Sequence, residues 1–197
     1  MKPAFTFTLR TFFVHAGILL MLLLLGVWLW QPKWLPSFAE NKTQPQNVHW
    51  QQIHIDEVKV YKAKRQLQLL EKGKVVKIYA MRLGFEPLGH KTTEGDGKTP
   101  EGRYVLDWRN PNSQFYKSLH ISYPNEQDKQ QAKMRGVSAG ENIMIHGSSR
   151  IQGQSKQVLY DYLPQKDWTL GCIALSNQDM DEVWHNVKNG TPITIYP

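Results

Sequence analysis

The N-terminal part of the chain contains a long apolar run that sets it apart from the rest of the sequence. Nearly every side chain in residues 12–30 is apolar, and residues 16–30 carry no polar side chain. A helix rises about 1.5 Å per residue, so this run can about cross a hydrocarbon core of roughly 30 Å. Lys2 and Arg10 precede it and no acidic residue occurs before Glu40, which predicts a cytoplasmic N-terminus and an exported remainder.

Two interpretations of this segment stay open. The run is longer than the core of about 7 to 15 residues found in signal peptides, which favours an uncleaved single-pass anchor. Alternatively, Ser37-Phe38-Ala39 offers small residues at the two positions that a signal peptidase reads. A buried core helix fits less well because of the basic flank and the polar stretch that follows. Both main interpretations place the rest of the chain outside the cytoplasm.

The remaining residues divide into a linker and one domain. Residues 31–50 are polar, with three prolines and no hydrophobic period, which is typical of a tether. We therefore predict an anchor or leader over residues 1–30, a linker over 31–52 and one folded domain over 53–197. Without Lys2 and Arg10, 22 basic and 17 acidic side chains remain, a net charge of +5. This mild, unclustered excess, together with export, argues against a nucleic-acid-binding protein.

Within the domain, apolar and polar residues alternate with a period of two, which indicates β-strands. Strands are predicted at residues 56–61, 66–70, 75–81, 102–107, 119–123, 143–146, 172–175 and 192–196. One helix is predicted between Ser176, which can cap it, and Gly190, with apolar residues at helical spacing at Met180, Val183, Trp184 and Val187. The predicted fold class is a mainly β domain with one helix near the C-terminus.

The chain has a single cysteine, Cys172, which excludes an intramolecular disulfide, a zinc ribbon, an iron–sulfur cluster and a Cys-x-x-Cys redox pair. An unpaired thiol in an oxidising compartment is exposed to mixed disulfides and overoxidation, so its presence indicates a function. His146 ends an apolar strand, and an imidazole beside a thiol can accept its proton and stabilise the thiolate. From residue types alone, a small buried cysteine and a structural histidine explain the pattern equally well.

Three segments, in this order, resemble the catalytic domain of the L,D-transpeptidases (YkuD-like domain). They are KTPEGRY at residues 98–104, IHG at 145–147 and TLGCIAL at 169–175. The resemblance covers roughly residues 55 to 197 and implies a β-sandwich-type catalytic domain in which the HG strand and the GC motif face each other across a cleft. It also implies that Cys172 is the nucleophile, that His146 is its general base and that the backbone carbonyl of Gly147 orients the imidazole.

The resemblance further implies a peptidoglycan L,D-transpeptidase. With the export that the N-terminal segment predicts, it would work in the periplasm, anchored at the outer face of the cytoplasmic membrane or released from it. Cys172 would attack the third residue of a tetrapeptide stem and release the terminal D-alanine, with the backbone N–H groups of Gly171 and Cys172 as oxyanion donors. The thioester would pass to an amine on a second stem, giving a 3-3 cross-link. A lipoprotein lysine as acceptor would give protein anchoring, and water would make the protein a carboxypeptidase or amide hydrolase. No metal or other cofactor is required.

The sequence departs from the family pattern two residues after the cysteine, where Ala174 replaces the usual arginine. Arg150 and Arg103 are candidates to replace this guanidinium. The expected substrate-binding residues are Thr169, His120, Arg150 and Trp168. The missing arginine also supports an alternative, a non-catalytic, membrane-tethered cell-wall binding module that keeps the fold.

Overall fold

The computed structural model describes Trp50, residues 53–148 and residues 163–197. These residues belong to one compact unit, Gln46–Pro197. The predicted anchor or leader, nearly all of the predicted linker and Arg150 lie outside them. Within the described part of the chain, no helix is long and apolar enough to cross a membrane.

The described residues form eight strands and two helices. The strands are β1 (Glu57–Tyr61), β2 (Gln66–Glu71), β3 (Lys74–Ala80), β4 (Gly102–Asn110), β5 (Ser118–Ile121), β6 (Met144–His146), β7 (Ile173–Ala174) and β8 (Thr191–Tyr196), and the helices are α1 (Glu126–Met134) and α2 (Asn177–Asn186). All eight strands join one sheet in the order β3-β2-β1-β8-β4-β5-β6-β7. The pairs β1–β8 and β6–β7 are parallel, and the other five are antiparallel. The predicted mainly β fold class is confirmed.

The two edges of this sheet are joined by the segment that follows β3. Arg82 forms an antiparallel bridge with Ala174 of β7, and Gly84 forms a parallel bridge with Thr169. The Arg82 N–H donates to the Ala174 carbonyl at 2.9 Å, and the Ala174 N–H donates back at 2.8 Å. Because β3 and β7 lie at opposite ends of the strand order, these bridges curl the sheet onto itself. The sandwich-like arrangement is therefore built from a single curled sheet.

The core lies on the inner face of the curl. Strands β1, β2 and β8 show alternating burial, since Val58, Val60, Leu67, Leu69, Ile193 and Ile195 are at 2% exposure or less. Both residues of β7, Ile173 and Ala174, are fully buried. The predicted helix near the C-terminus is α2, capped by the Ser176 hydroxyl, which accepts from the Asp179 N–H at 3.0 Å. Its apolar face, with Met180 and Val183 fully buried, closes the core beneath β5 and β6.

Helix α1 was not predicted, because it lacks a hydrophobic stripe. Its sequence EQDKQQAKM is almost entirely polar, and Asp128 and Ala132 are its only buried residues. The local sequence feature that stabilises this helix is a capping box. The Asn125 side chain accepts from the Asp128 N–H at 2.9 Å, and the Asp128 carboxylate accepts from the Asn125 N–H at 3.0 Å. A helix held by its cap rather than by core burial escapes a search for periodicity.

Candidate functional site

Strands β6 and β7 bring the predicted nucleophile and base onto the same face of the sheet. They run parallel with Ile145 opposite Ile173, and both isoleucines are fully buried on the core side. Because side chains alternate along a strand, Met144 and His146 point away from the core, and Cys172, which precedes Ile173, points the same way. The two segments are also in contact just before β7 begins, since the Met144 N–H donates to the Cys172 sulfur at 3.4 Å.

The Cys172 side chain is half-buried and lies between two backbone groups. Its sulfur accepts from the Met144 N–H, and its S–H donates to the Asn142 carbonyl at 3.7 Å. Burial raises the pKa of the thiol above its ordinary value, and the Met144 hydrogen bond and the charge of Lys91 oppose that rise. The resting side chain is therefore a neutral thiol that donates a weak hydrogen bond to a carbonyl.

His146 is 3% exposed, and its ring is oriented by its own chain. The Nδ1 atom lies 2.6 Å from the Gly147 carbonyl oxygen. A carbonyl can only accept, so Nδ1 carries the hydrogen and Nε2 is the basic nitrogen. Burial lowers the pKa of the imidazole, opposed by the hydrogen bond to Gly147. The resting imidazole is therefore neutral, like the thiol.

Two aromatic rings enclose the imidazole. Phe115 stacks on His146 with ring centroids 4.8 Å apart and an interplanar angle of 30°. Trp168 approaches edge-on at 5.7 Å and also contacts Phe115 at 5.4 Å. These rings keep water away from one side of the imidazole and contribute to its burial. The Trp168 Nε1 is buried and has no hydrogen-bond partner among the described residues.

The backbone at Gly147 can adopt its position only without a side chain. A Cβ there would lie 2.4 Å from the Asn177 side-chain oxygen. That oxygen accepts from the Ser148 N–H at 3.0 Å and so ties the chain after β6 to the first turn of α2. The close approach of Gly147 to Asn177 fixes the direction of the Gly147 carbonyl, and the hydrogen bond to this carbonyl fixes the orientation of the imidazole.

The turn before Cys172 is held by Thr169, which is 4% exposed. Its hydroxyl donates to the Cys172 carbonyl at 2.7 Å and accepts from the Gly171 N–H at 3.2 Å. Gly171 has a φ of 130°, and a Cβ there would lie 2.6 Å from the Lys98 carbonyl oxygen. The hydrogen bond of the Gly171 N–H is thus made to Thr169, within the turn. In contrast, the Cys172 N–H donates to no other described residue.

The loop that supplies the Lys98 carbonyl is organised by a buried cation that sequence reasoning did not single out. Lys62 is 2% exposed and follows β1 directly. Its ammonium donates to the carbonyls of Gly89 and Thr99 at 2.6 and 3.0 Å and to the Glu101 carboxylate at 2.8 Å. Burial lowers the pKa of Lys62. Nothing in the sequence signalled this role, because a lysine at a strand end is common on protein surfaces. Lys62 differs only in that the long loop folds over it.

The structure separates the remaining expected substrate-binding residues. Trp168 lies against His146, whereas the Thr169 hydroxyl is used inside the turn. His120 lies on β5 and pairs with Asp107, Nδ1 to Oδ1, at 2.7 Å. Arg150 lies outside the described residues. Substrate contact by each of these residues stays a prediction.

A different arginine lies opposite Ala174. Arg82 forms the antiparallel bridge with this residue, and bridged residues project from the same face of a sheet. Its Nε is buried and has no partner among the described residues, while Nη1 donates to the Met81 carbonyl at 2.8 Å. The other candidate, Arg103, is exposed on β4 and pairs with Thr194 of β8, away from β6 and β7.

Within residues 53–148 and 163–197, no group of three or more His, Cys, Asp or Glu side chains is arranged to hold a metal ion. The chemistry available at the described site is that of a thiol, an imidazole and backbone N–H groups. These are the groups of an acyl-transfer centre.

A curled, mainly β domain with this strand arrangement is an L,D-transpeptidase fold. The chain belongs to the L,D-transpeptidase catalytic domain (YkuD) family, whose model matches residues 55–195. A similar curated protein is "Putative L,D-transpeptidase YafK" of Escherichia coli (strain K12), 32% identical over 142 residues, which cover 67% of this chain and 46% of that protein. The chain thus matches about half the length of this relative.

Two solved structures share the fold at 25% sequence identity. Bd1075 of Bdellovibrio bacteriovorus has a TM-score of 0.52, with 73% of this chain and 48% of that chain covered. A variant of the helical cell shape determining protein Pgp2 of Campylobacter jejuni has a TM-score of 0.53, with 73% and 47% covered. The resemblance that the motifs indicated is therefore confirmed at the level of the family and the fold.

Proposed function

We propose that this protein is a peptidoglycan L,D-transpeptidase in which Cys172 is the nucleophile and His146 is the general base. The observation that carries the proposal is the β6–β7 register, which puts the two side chains on one face of the sheet. The orientation of His146 supports it, because Gly147 holds Nδ1 and leaves Nε2 as the basic nitrogen. Membership of the L,D-transpeptidase family supplies the substrate class, the stem peptides of peptidoglycan.

The acylation step starts from a neutral pair. When the stem binds, the thiol turns from the Asn142 carbonyl to His146 Nε2 and gives up its proton as the sulfur attacks the carbonyl of the third stem residue. The Cys172 N–H stabilises the oxyanion, since it has no other partner among the described residues. The amide C–N bond then breaks, His146 protonates the departing D-alanine nitrogen, and a thioester remains on Cys172.

The second step transfers the acyl group to an amine. The amine nitrogen attacks the thioester carbonyl, the C–S bond breaks, and His146 passes the proton of the new amide nitrogen to the sulfur. Cys172 is then a thiol again. For the side chain that meets a substrate carboxylate we propose Arg82 in place of the arginine absent at Ala174, since it lies opposite that residue and its Nε is unpaired among the described residues.

We further propose that the protein works in the periplasm. The apolar residues 12–30 with their basic flank support either an anchor in the cytoplasmic membrane or a cleaved leader. Fractionation of tagged cells tests this location. If the protein is membrane-bound and is degraded by protease added to spheroplasts, the result supports the anchor. A soluble periplasmic protein that lacks the N-terminal residues supports cleavage, and a cytoplasmic protein contradicts the proposal.

The reaction is tested by incubating the purified protein with disaccharide-tetrapeptides and identifying the products by mass spectrometry. Transpeptidation predicts a dimer that has lost one D-alanine. A shortened monomer alone would show a carboxypeptidase instead. No product and no acyl-enzyme, with peptidoglycan binding retained, would contradict the enzyme and favour a binding module. Cys172→Ser is the matched control, because it keeps the size of the side chain and removes the thiol.

A further inference from the structure

A second set of functional groups lies beside Cys172 in a groove of about 490 Å³, which we call the His120 groove. Its lining includes Asp107, Trp108, His120, Glu141 and Asn142. We propose that this groove binds the ammonium group of the acceptor, and that His120, oriented by Asp107, takes the proton that the ammonium must lose before it can attack. This inference rests on the proposed transpeptidase function and concerns its second step.

Asn142 connects the groove to Cys172. Asn142 lines the groove, and the carbonyl of the same residue accepts the Cys172 S–H at 3.7 Å. In the β5–β6 register His120 lies opposite Met144, whose N–H donates to the Cys172 sulfur. His120 and Cys172 therefore flank one residue of β6 on the same face, two strand spacings or about 10 Å apart. An aliphatic amine side chain can span this gap.

The His120 side chain is oriented as a proton acceptor. Its Nδ1 lies 2.7 Å from the Asp107 carboxylate, which holds the hydrogen on Nδ1 and leaves Nε2 to accept. Trp108 stacks on the imidazole with centroids 4.8 Å apart and an interplanar angle of 17°. The indole is nevertheless 43% exposed, so it is not part of the core. A fixed imidazole under an exposed aromatic ring forms a surface on which an aliphatic chain or a cation can rest.

The charges in the groove favour a cation over an anion. Asp107 and Glu141 are both exposed carboxylates at its lining. The one lysine in the lining, Lys129, is paired with Glu126 at 2.7 Å. An ammonium is therefore a better ligand for this groove than the carboxylate end of a stem peptide.

The chemistry of the second step supplies a reason for a second base. An acceptor amine is an ammonium at neutral pH, and it must lose one proton before its lone pair can attack and another as the amide forms. His146 and the departing Cys172 sulfur account for the second proton. We assign the first to His120 Nε2, which can release it to solvent because the groove is open.

The test separates the two half-reactions in the full-length protein. For His120→Gln we expect D-alanine release in the first turnover within twofold of wild type and cross-linked dimer formation at least tenfold lower. Asp107→Asn should act in the same direction. His54→Gln, a change at an exposed histidine outside the groove, is the matched control and should leave both rates unchanged.

A second measurement distinguishes a proton-transfer role from a structural one. Hydroxylamine is uncharged at pH 7, so it should cleave the thioester of His120→Gln as fast as that of wild type. An unchanged ratio of dimer to released D-alanine in His120→Gln would overturn the inference, and so would a wild-type protein that acylates but only hydrolyses the stem. A wild-type protein that never acylates would instead contradict the proposed function itself.

Discussion

The Nδ1 atom of His146 lies 2.6 Å from the carbonyl oxygen of Gly147, the next residue in the chain. This contact decides which ring nitrogen carries the hydrogen and which one is basic. Burial of the imidazole lowers its pKa, and burial of the Cys172 thiol raises the pKa of that group. The resting site therefore holds a neutral thiol and a neutral imidazole.

His146→Ala should leave the fold intact and slow acylation of Cys172 by about 10²- to 10⁴-fold, the usual effect of removing a general base. The acylating probe is a carbapenem, since L,D-transpeptidases generally accept this class, and intact mass reads the adduct. His185→Ala is the control, because that imidazole also contacts a backbone carbonyl, Asp181 O at 2.7 Å, on the exposed side of α2. Equal acylation rates in His146→Ala and wild type would remove His146 from the base role.

The rate of Cys172 alkylation should depend on pH as expected for a neutral, half-buried thiol. Because the pKa is raised, the thiolate fraction at any given pH is smaller than for a free cysteine, and the iodoacetamide rate should still be rising at pH 9. The chain has a single cysteine, so the label reports on this residue alone. The unfolded protein in denaturant provides the reference curve. A rate that is already constant between pH 5 and 7 would instead reveal a preformed thiolate–imidazolium pair.

Thr169→Ala should weaken the turn that leads into Cys172. The change removes two hydrogen bonds, to the Cys172 carbonyl and from the Gly171 N–H, in a buried position. We expect the free energy of unfolding to fall by about 1–3 kcal/mol in denaturant titrations, with a slower acylation rate. Thr169→Ser keeps the hydroxyl and should retain most of both. If the serine variant is as impaired as the alanine variant, the hydroxyl is not the important group.

Gly171→Ala should be more damaging than its backbone conformation alone explains. A φ of 130° lies in a region that only glycine populates readily and costs an L-residue about 1–3 kcal/mol, and the new Cβ would also lie 2.6 Å from the Lys98 carbonyl oxygen. Gly102→Ala is the matched control, since Gly102 has a φ of 127° and the atom nearest to its added Cβ, the Tyr104 hydroxyl oxygen, lies at 3.6 Å. Thermal unfolding of both variants isolates the steric contribution. Equal losses of stability would show that the loop carrying Lys98 moves aside without cost.

Much of the fold could be predicted from the sequence because burial on one face of a strand imposes a period of two. Each of the eight predicted strands overlaps an observed one, and α2 follows from its apolar spacing and its Ser176 cap. Helix α1 could not be found in this way, since its stability comes from the capping box of Asn125 and Asp128 and little of its surface is buried. A local pattern of apolar residues therefore predicts those strands and helices that bury one face in the core.

The candidate site likewise has one part that the sequence predicts and another that only the structure shows. The sequence alone determined that one thiol and one strand-end histidine occur in motifs of the L,D-transpeptidase type, because reactive groups need particular residue types next to glycines that allow close approach. Only the tertiary structure decided that Arg82 lies opposite Ala174 and that His120 lies across β6 from Cys172. These neighbours come from distant parts of the chain. Their contact depends on strand order and register, which the hydrogen bonds of the whole curled sheet set and no local segment encodes.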